Sequence, residues 1–290
     1  MPTYTVTNSN FKLNLKQKDS TSYKSLIESV NNLTATGNFE IIQYEIDESD
    51  DGNIVKFNVK ETDVSNLLKL GIHYDDIYKT GVLLNLTSKH LLFKNDIFSA
   101  DIILGDNLRY NLNYFIDNGF YWSFGLKLRY NTFNENIKVI SETTNKINLD
   151  YEDFTNQAYM QTVFSRKFAI GAGIEQKRVI ASTETINLYE GAIYDSANNK
   201  LYFDKSNYFN LFAYLKLDTY DKSYFPKEGL FLDAGMLYYA TSSDFNNTFN
   251  PFSQLKANFG IATTVFNKLT FQFISEAGLT LGENENRALT

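Results

Sequence analysis

The stretch Gly119-Phe-Tyr-Trp-Ser-Phe-Gly-Leu-Lys-Leu-Arg-Tyr130 decides the fold. Its even positions, Phe120, Trp122, Phe124, Leu126, Leu128 and Tyr130, are large and apolar. From Ser123 onward its odd positions are small or charged: Ser123, Gly125, Lys127 and Arg129. A period of two places the even side chains on one face of a β-strand and the odd ones on the other. One strand does not say whether its apolar face meets a protein core or lipid, so the answer has to come from its neighbours.

The same alternation recurs along most of the chain. From about Leu67 onward roughly eleven strands are predicted on this period. They include Val82, Leu84, Leu86; Leu108, Tyr110, Leu112, Tyr114, Ile116; Phe154, Ala158, Met160, Phe164; and Phe168, Ile170, Ala172, Ile174. Further on come Phe209 to Leu217, Leu255 to Val265 and Leu269 to Leu279. The opposite faces carry Asn111, Asn113, Lys127, Arg129, Gln157, Gln161, Glu175, Lys177, Asn210, Lys216, Lys256, Gln272 and Glu276. A soluble sandwich or lipocalin-like barrel turns its apolar face inward; a membrane barrel turns it outward and keeps a polar interior.

Three features favour the membrane reading. The predicted strands run about 9 to 14 residues, long enough to cross a bilayer when tilted, whereas soluble strands cluster near 5 or 6. The polar face mixes long charged side chains with Gly125, Gly171, Gly173 and Gly260, as a wet or plugged interior would. Tyr74, Tyr78, Tyr130, Tyr151, Tyr220, Tyr224, Tyr238 and Tyr239 are expected at strand ends, where aromatic girdles sit. On this reading Phe120, Trp122, Phe124, Leu126 and Leu128 face lipid. Tight turns at Asn118-Gly119, Arg166-Lys167 and Asn267-Lys268 alternate with longer segments at Asn134–Asp150, Thr183–Lys205 and Thr241–Phe252. Short connections on one side and long loops on the other are the outer-membrane arrangement.

Residues 1–64 read differently. Ser20-Thr21 is placed to cap a helix carrying Tyr23, Leu26, Ile27, Val30 and Leu33, with Gly37 to end it. Two strands follow, Phe39–Ile46 and Ile54–Val59, around a turn at Asp50–Asn53. The acidic run Asp47–Asp51 lacks the spacing of a calcium loop and reads as a solvated turn.

Composition narrows the function. The 290 residues carry a formal charge of −7, 16% aromatics, 3 prolines and no cysteine. An acidic chain argues against a nucleic-acid partner, and the lack of cysteine removes disulfides and thiolate metal sites. No apolar run reaches the length of a transmembrane helix, and the first residues do not form a signal peptide. There is no Gly-x-Ser-x-Gly elbow and no phosphate-binding glycine loop. His73 and His90 are distant in sequence and expected as ordinary wall residues. Glu175 and Glu276 form a conceivable acid/base pair, but lumen lining paired with Lys177 or Lys256 is the plainer account. No catalytic, cofactor or metal residue is assigned.

Two segments carry a resemblance. Tyr23–Tyr44, running on to Val59-Lys-Glu61, resembles the second half of a POTRA domain. Asp218-Thr-Tyr-Asp-Lys-Ser-Tyr-Phe-Pro-Lys-Glu-Gly229 resembles the Asp…Phe-Pro-x-x-Gly turn of the BamA and TamA superfamily, on Asp218, Phe225, Pro226 and Gly229. Asn31–Phe39 and Leu67–Thr80 look most like the patatin-like phospholipases of Bacteroidota, which carry a POTRA domain and a barrel behind the lipase domain. The Ser-Asp dyad of that lipase and the Arg-Gly-Phe-type motif of the family's sixth extracellular loop are both absent.

The expected protein is therefore mainly β: an antiparallel transmembrane barrel, incomplete at about eleven of about sixteen strands, behind a small α+β POTRA-like domain. The boundaries are 1–64 and 65–290. The resemblance implies a bacterial outer-membrane location with the first domain in the periplasm. Its partners would be lipid, a fused passenger or lipase domain, and possible further copies of itself. The alternatives are an assembly or secretion factor of the BamA and TamA type with no enzyme attached, and a soluble ligand-binding β protein. Both ends are expected to be cuts through a longer chain, the second at the mouth of the sixth outer loop, so that the first and last strands stay unpaired.

Overall fold

The computed structural model describes residues 22–35, 39–47, 54–61, 65–119, 121–138, 146–164, 167–184, 192–222, 224–243, 249–266 and 268–282. The chain divides into two units, Met1–Ser65 and Asn66–Thr290.

The first unit contains helix α1 (Tyr23–Ala35) and strands β1 (Phe39–Asp47) and β2 (Ile54–Glu61). The helix cap is Ser22, whose Oγ accepts the Ser25 N–H at 3.2 Å, the geometry of an N-cap side chain on the third helical residue. The predicted caps Ser20, Thr21 and Gly37 lie outside the described residues, as does the acidic turn beyond Asp47. Leu26 and Ser29 form the buried stripe of α1. β1 and β2 pair antiparallel with Tyr44 opposite Phe57, and Lys56–Asp47 and Lys60–Glu40 close ion pairs at 2.5 Å.

The second unit is one antiparallel sheet. Its strands are β3 (Asn66–Asp75), β4 (Lys79–Lys89), β5 (Asp96–Gly105), β6 (Arg109–Ile116), β7 (Ser123–Lys138) and β8 (Lys146–Phe164). Then follow β9 (Phe168–Thr183), β10 (Ile193–Asp195), β11 (Lys200–Asp218), β12 (Gly229–Ser243), β13 (Phe252–Val265) and β14 (Leu269–Leu281). Eleven of them form a meander from β3 to β14, and β10 is a side strand paired with β11. Among the described residues β3 and β14 do not pair, so the sheet is open.

Among the described residues strand backbones lie close only to their hydrogen-bonded neighbours, and no second sheet or helix covers either face. Yet one face is buried. Ser123, Asp153, Thr155, Glu175, Ser206 and Asn210, all on the same side by register, are nearly inaccessible. A sheet with nothing packed on it buries one face only by curling around it, as a twisted sheet closing toward a barrel does. The predicted polar face is thus the concave face, and every one of its thirteen predicted residues, Asn111 through Glu276, falls there by register.

The predicted turns between β6 and β7, β8 and β9, and β13 and β14 lie at the end where β3 begins, as do the β4–β5 and β11–β12 turns. Arg166 and Asn267 themselves lie outside the described residues, and short turns at 76–78 and 106–108 close the opposite end. The β4–β5 turn shows how sequence encodes one of them. Asp96, fully buried, accepts the backbone N–H groups of Leu91, Leu92 and Phe93 at 2.7, 2.8 and 2.8 Å, and the Tyr114 hydroxyl at 2.7 Å. Four charge-assisted bonds to one carboxylate offset the cost of burying it.

Strand lengths depart from the expectation at both extremes. β6 has 8 residues, while β8 and β11 have 19. The predicted loop Asn134–Asp150 is largely the tip of the β7–β8 hairpin, paired to Lys138↔Lys146. The segment Thr183–Lys205 likewise contains β10 and the start of β11. On the β7–β8 tip the outward face is polar, Asn134, Asn136 and Lys138 opposite Asp150, Asn148 and Lys146, while Ile137, Ile147 and Leu149 hold the inward face. The polar row reads as loop, but the backbone continues the ladder. Asn134, Asn148 and Asp150 also bond to one another through their side chains.

Candidate functional site

The wall between a greasy outside and a polar inside is the feature to explain. On β7 the outward residues Phe124, Leu126 and Leu128 are exposed, Leu126 at 53%, while inward Ser123 and Gly125 are buried. Trp122, just before β7, is exposed as well. Phe120 lies outside the described residues. Across the sheet Ile72, Val82, Met160, Ile170, Ile174, Phe209, Leu211, Met236, Phe259, Phe271 and Phe273 show the same outward exposure. A soluble protein does not present so wide a contiguous apolar surface to water.

Inside, the polar side chains pair with one another. Asp153 receives Arg129 at 3.3 Å and Lys177 at 3.5 Å, with Thr155 Oγ1 donating to the same carboxylate. One row nearer the tight turns, Glu175 accepts Gln157 Nε2 at 2.6 Å and Asn210 Nδ2 at 2.8 Å. Lys216 pairs with Asp233 and Asn85 bonds Asp101. Glu175 is therefore held by two amides rather than by Lys177, which turns to Asp153. Glu276, opposite Asn258 on β14, is three strands beyond β11, so no acid/base pair forms. Arg109 Nε, Asn111 Oδ1, Arg129 Nε and Asn210 Oδ1 find no partner among the described residues; hydrogen-bonding capacity of that kind belongs to a wet interior.

Toward the loop end the concave face becomes aromatic. Arg109 lies 3.7 Å from the Tyr78 ring centroid. Tyr78 meets Phe133, and Phe133 stacks on Tyr151 at 4.9 Å. Tyr151 packs against a buried cluster of Val179, Tyr208, Tyr239 and Phe252, with Tyr239 stacked on Phe252 at 4.2 Å. This corrects the girdle expectation for Tyr78, Tyr151 and Tyr239, which point inward. Tyr238 and Tyr239 are adjacent, so strand parity sends one out and the other in. Tyr130 faces outward, but from mid-strand.

The glycines of the concave face are seats for these rings. A Cβ on Gly125 would overlap the Tyr159 ring, one on Gly171 the Tyr214 ring, and one on Gly173 would stand 2.7 Å from Phe212 Cζ. Tyr159 then reaches Asn113 and Tyr214 reaches Gln161, each spanning more than one strand.

The β11–β12 turn is built by its own motif. Asp218 Oδ1 accepts the Tyr220 N–H at 3.0 Å, and Asp221 Oδ1 accepts the Lys227 N–H at 2.8 Å. Donation by Lys227 is the main cause that holds the Asp221 carboxyl below its ordinary value. Gly229 has φ 112, and a Cβ there would stand 2.7 Å from the Thr219 carbonyl carbon, so only glycine fits without strain. Phe225 is 91% exposed at φ 54, followed by Pro226. Asp218, Phe225, Pro226 and Gly229 thus belong to one turn; sequence reasoning missed Asp221, whose spacing to Lys227 carries no simple signature.

His73 Nε2 bonds Asp75 at 2.5 Å, and His90 occupies a left-handed turn position. Among the described residues no group of His, Asp and Glu is arranged to hold a metal ion.

Comparison with known proteins agrees with this architecture. The family model of the OMP85 superfamily matches residues 53–290. The chain belongs to that superfamily, and its sheet is an outer-membrane β-barrel wall of the BamA and TamA kind. Among solved structures it is similar to BamA from Haemophilus ducreyi lacking POTRA domains 1–3, at 13% identity and TM-score 0.60, covering 94% of this chain and 52% of that one. It is also similar to CdiB from Acinetobacter baumannii, at 13% identity and TM-score 0.50, covering 94% and 50%. The chain therefore spans about half the length of each. A search of curated proteins found no match.

Proposed function

We propose that this chain is the membrane portion of a larger surface protein, a barrel wall that anchors a fused passenger. The observation that carries the reading is the inverted sheet: apolar and exposed outside, polar and paired inside. On this reading residues 1–64 are a POTRA-like periplasmic domain. The tight turns, which share an end with the start of β3, face the periplasm, and the β7–β8 and β9–β11 tips face outward. Trp122, Phe124, Leu126 and Leu128 contact lipid. Resemblance over Asn31–Phe39 and Leu67–Thr80 supports a patatin-like phospholipase as the passenger; no residue of this chain carries that chemistry.

The test uses the full-length protein in detergent. Heat-modifiable gel mobility together with phospholipase activity in the membrane fraction is the expected result. A protein that purifies as a soluble monomer overturns the anchor reading. A heat-modifiable protein without lipase activity, whose depletion lowers the level of other outer-membrane proteins, favours instead an assembly or secretion role like that of the BamA and TamA relatives.

A further inference from the structure

The outward face changes character partway along the long strands. On β7 the outward residues are Phe124, Leu126, Leu128 and Tyr130, then Thr132, Asn134 and Asn136. On β7 the change follows Tyr130, which stands in one row of facing residues with Tyr110, Phe154 and Arg178 on β6, β8 and β9. On β8 and β9 Asn156 and Gln176 already break the apolar face one row below, and Ile180 follows Arg178 above. Tyr110 and Tyr130 stack at 5.4 Å. An aromatic row closing an apolar band is where headgroups meet a barrel, and here the row ends in a guanidinium.

Beside Arg178 two strands share one edge of β11: among the described residues β10 pairs with it as far as Tyr202, and β12 from Asn207 onward. A cavity of about 540 Å³ opens there, lined by Arg178, Lys205, Tyr194, Tyr202, Asn207 and Ser243 among others. Lys205, opposite Ile180, shares the outward face with Arg178, and its ammonium stands 4.6 Å from the Tyr202 ring centroid. Neither cation has a carboxylate within ion-pair distance among the described residues; of the inward cations Arg129, Lys177 and Lys216 have one, and Arg109, Lys127 and Lys256 do not. Among the described residues the one acid of the lining is Asp195; it accepts the Ala197 N–H and Asn198 Nδ2 at 3.0 and 2.9 Å and interacts with Lys205 only at longer range.

We propose that this cavity binds the phosphate of a phosphorylated lipid headgroup from the leaflet around the loop end of the wall. A guanidinium fork and an ammonium supply charge-assisted bonds to phosphate oxygens, and the hydroxyl and amide groups of Ser243 and Asn207 add neutral donors. The lipid, rather than free phosphate, is the source because the cavity opens on the outward face level with the aromatic row Tyr110, Tyr130 and Phe154, with Ile180 and Ile193 beside it. The assignment rests on the outward face meeting lipid.

The test is native mass spectrometry of the full-length protein folded in detergent, with diphosphorylated lipid A, its dephosphorylated form, and inorganic phosphate. Heat-modifiable mobility is recorded for every variant. Wild type should retain the phosphorylated lipid, and Arg178→Gln with Lys205→Gln should weaken retention about tenfold or more. Arg178→Lys with Lys205→Arg should keep most of it, and the inward control Lys127→Gln all of it. Equal retention by the Gln variant, equal retention of the dephosphorylated lipid, or displacement by equimolar inorganic phosphate each overturns the site while leaving the anchor reading intact. Loss of the heat-modifiable shift in wild type overturns the anchor reading, and the site with it.

Discussion

The ring of Tyr159 occupies the space that a side chain at Gly125 would fill, and the two residues face each other across β7 and β8. Gly125→Val must push the ring off its seat and break its reach to Asn113. The expected cost is about 1–3 kcal/mol, seen as a lower temperature for loss of the heat-modifiable band. Tyr159→Ala should relieve most of the added penalty, because the two changes share one volume. Independent, additive losses would show that the ring is not seated on this glycine.

Asp153 balances two cations at once. Asp153→Ala leaves Arg129 and Lys177 facing each other with no counter-charge. Removing one member of a buried ion cluster costs about 3–5 kcal/mol, and Arg129, 41% exposed, recovers part of this from water. A loss of about 2–3 kcal/mol in urea unfolding from micelles is expected. Arg129→Ala should cost less, since Lys177 keeps its partner.

Leu126 and Lys127 are chain neighbours on opposite faces. Leu126→Arg places a cation in the apolar band, at about 2–4 kcal/mol if the residue lies near mid-bilayer. Lys127→Gln should cost less than about 1 kcal/mol. The comparison, read from folding yield in lipid vesicles, fails the membrane reading if both substitutions cost the same.

The β11–β12 turn should loosen in acid. The folded Asp221 carboxyl titrates below its ordinary 3.8, chiefly because Lys227 donates its N–H to it. A depressed acid stabilises the fold above its unfolded pKa and loses that contribution as the pH falls through the folded value. A carboxyl carbon titration by NMR should place the midpoint below 3.8, and Asp221→Asn should remove the acid sensitivity of the Lys227 and Glu228 amide signals. A midpoint at or above the ordinary value would refute the bond.

Phe225 sits at φ 54 with its ring exposed. Left-handed backbone costs a non-glycine residue about 1 kcal/mol, so Phe225→Gly should raise thermal stability slightly. A marked loss instead would mean that the ring has a partner in the assembled protein.

Alternation along Phe124, Leu126, Leu128 and their counterparts determined the eleven strands of the meander and which residues share a face before any coordinates, because side-chain direction in a strand is a local property with a period of two. It did not show the side strand β10 or the short turns at 76–78 and 106–108. The turn residues were legible for the same reason: Gly229 and Asp218 act on their own backbone. The strand tip Asn134–Lys138 was not legible, since its outward face turns polar while Ile137 and its partner Ile147 make the inward face apolar, the reverse of the pattern along the rest of β7. Nor were the pairings. Whether Glu175 bonds Lys177 or Asn210, and which tyrosine turns inward to meet Phe252, depends on register between strands far apart in sequence. The cavity beside Arg178 is the extreme case, because its lining comes from β9, β10, β11 and β12, brought together where β10 and β12 share an edge of β11. Such features arise from how hydrogen-bonded neighbours are stacked, which pattern along one chain does not encode and the tertiary sheet alone decides.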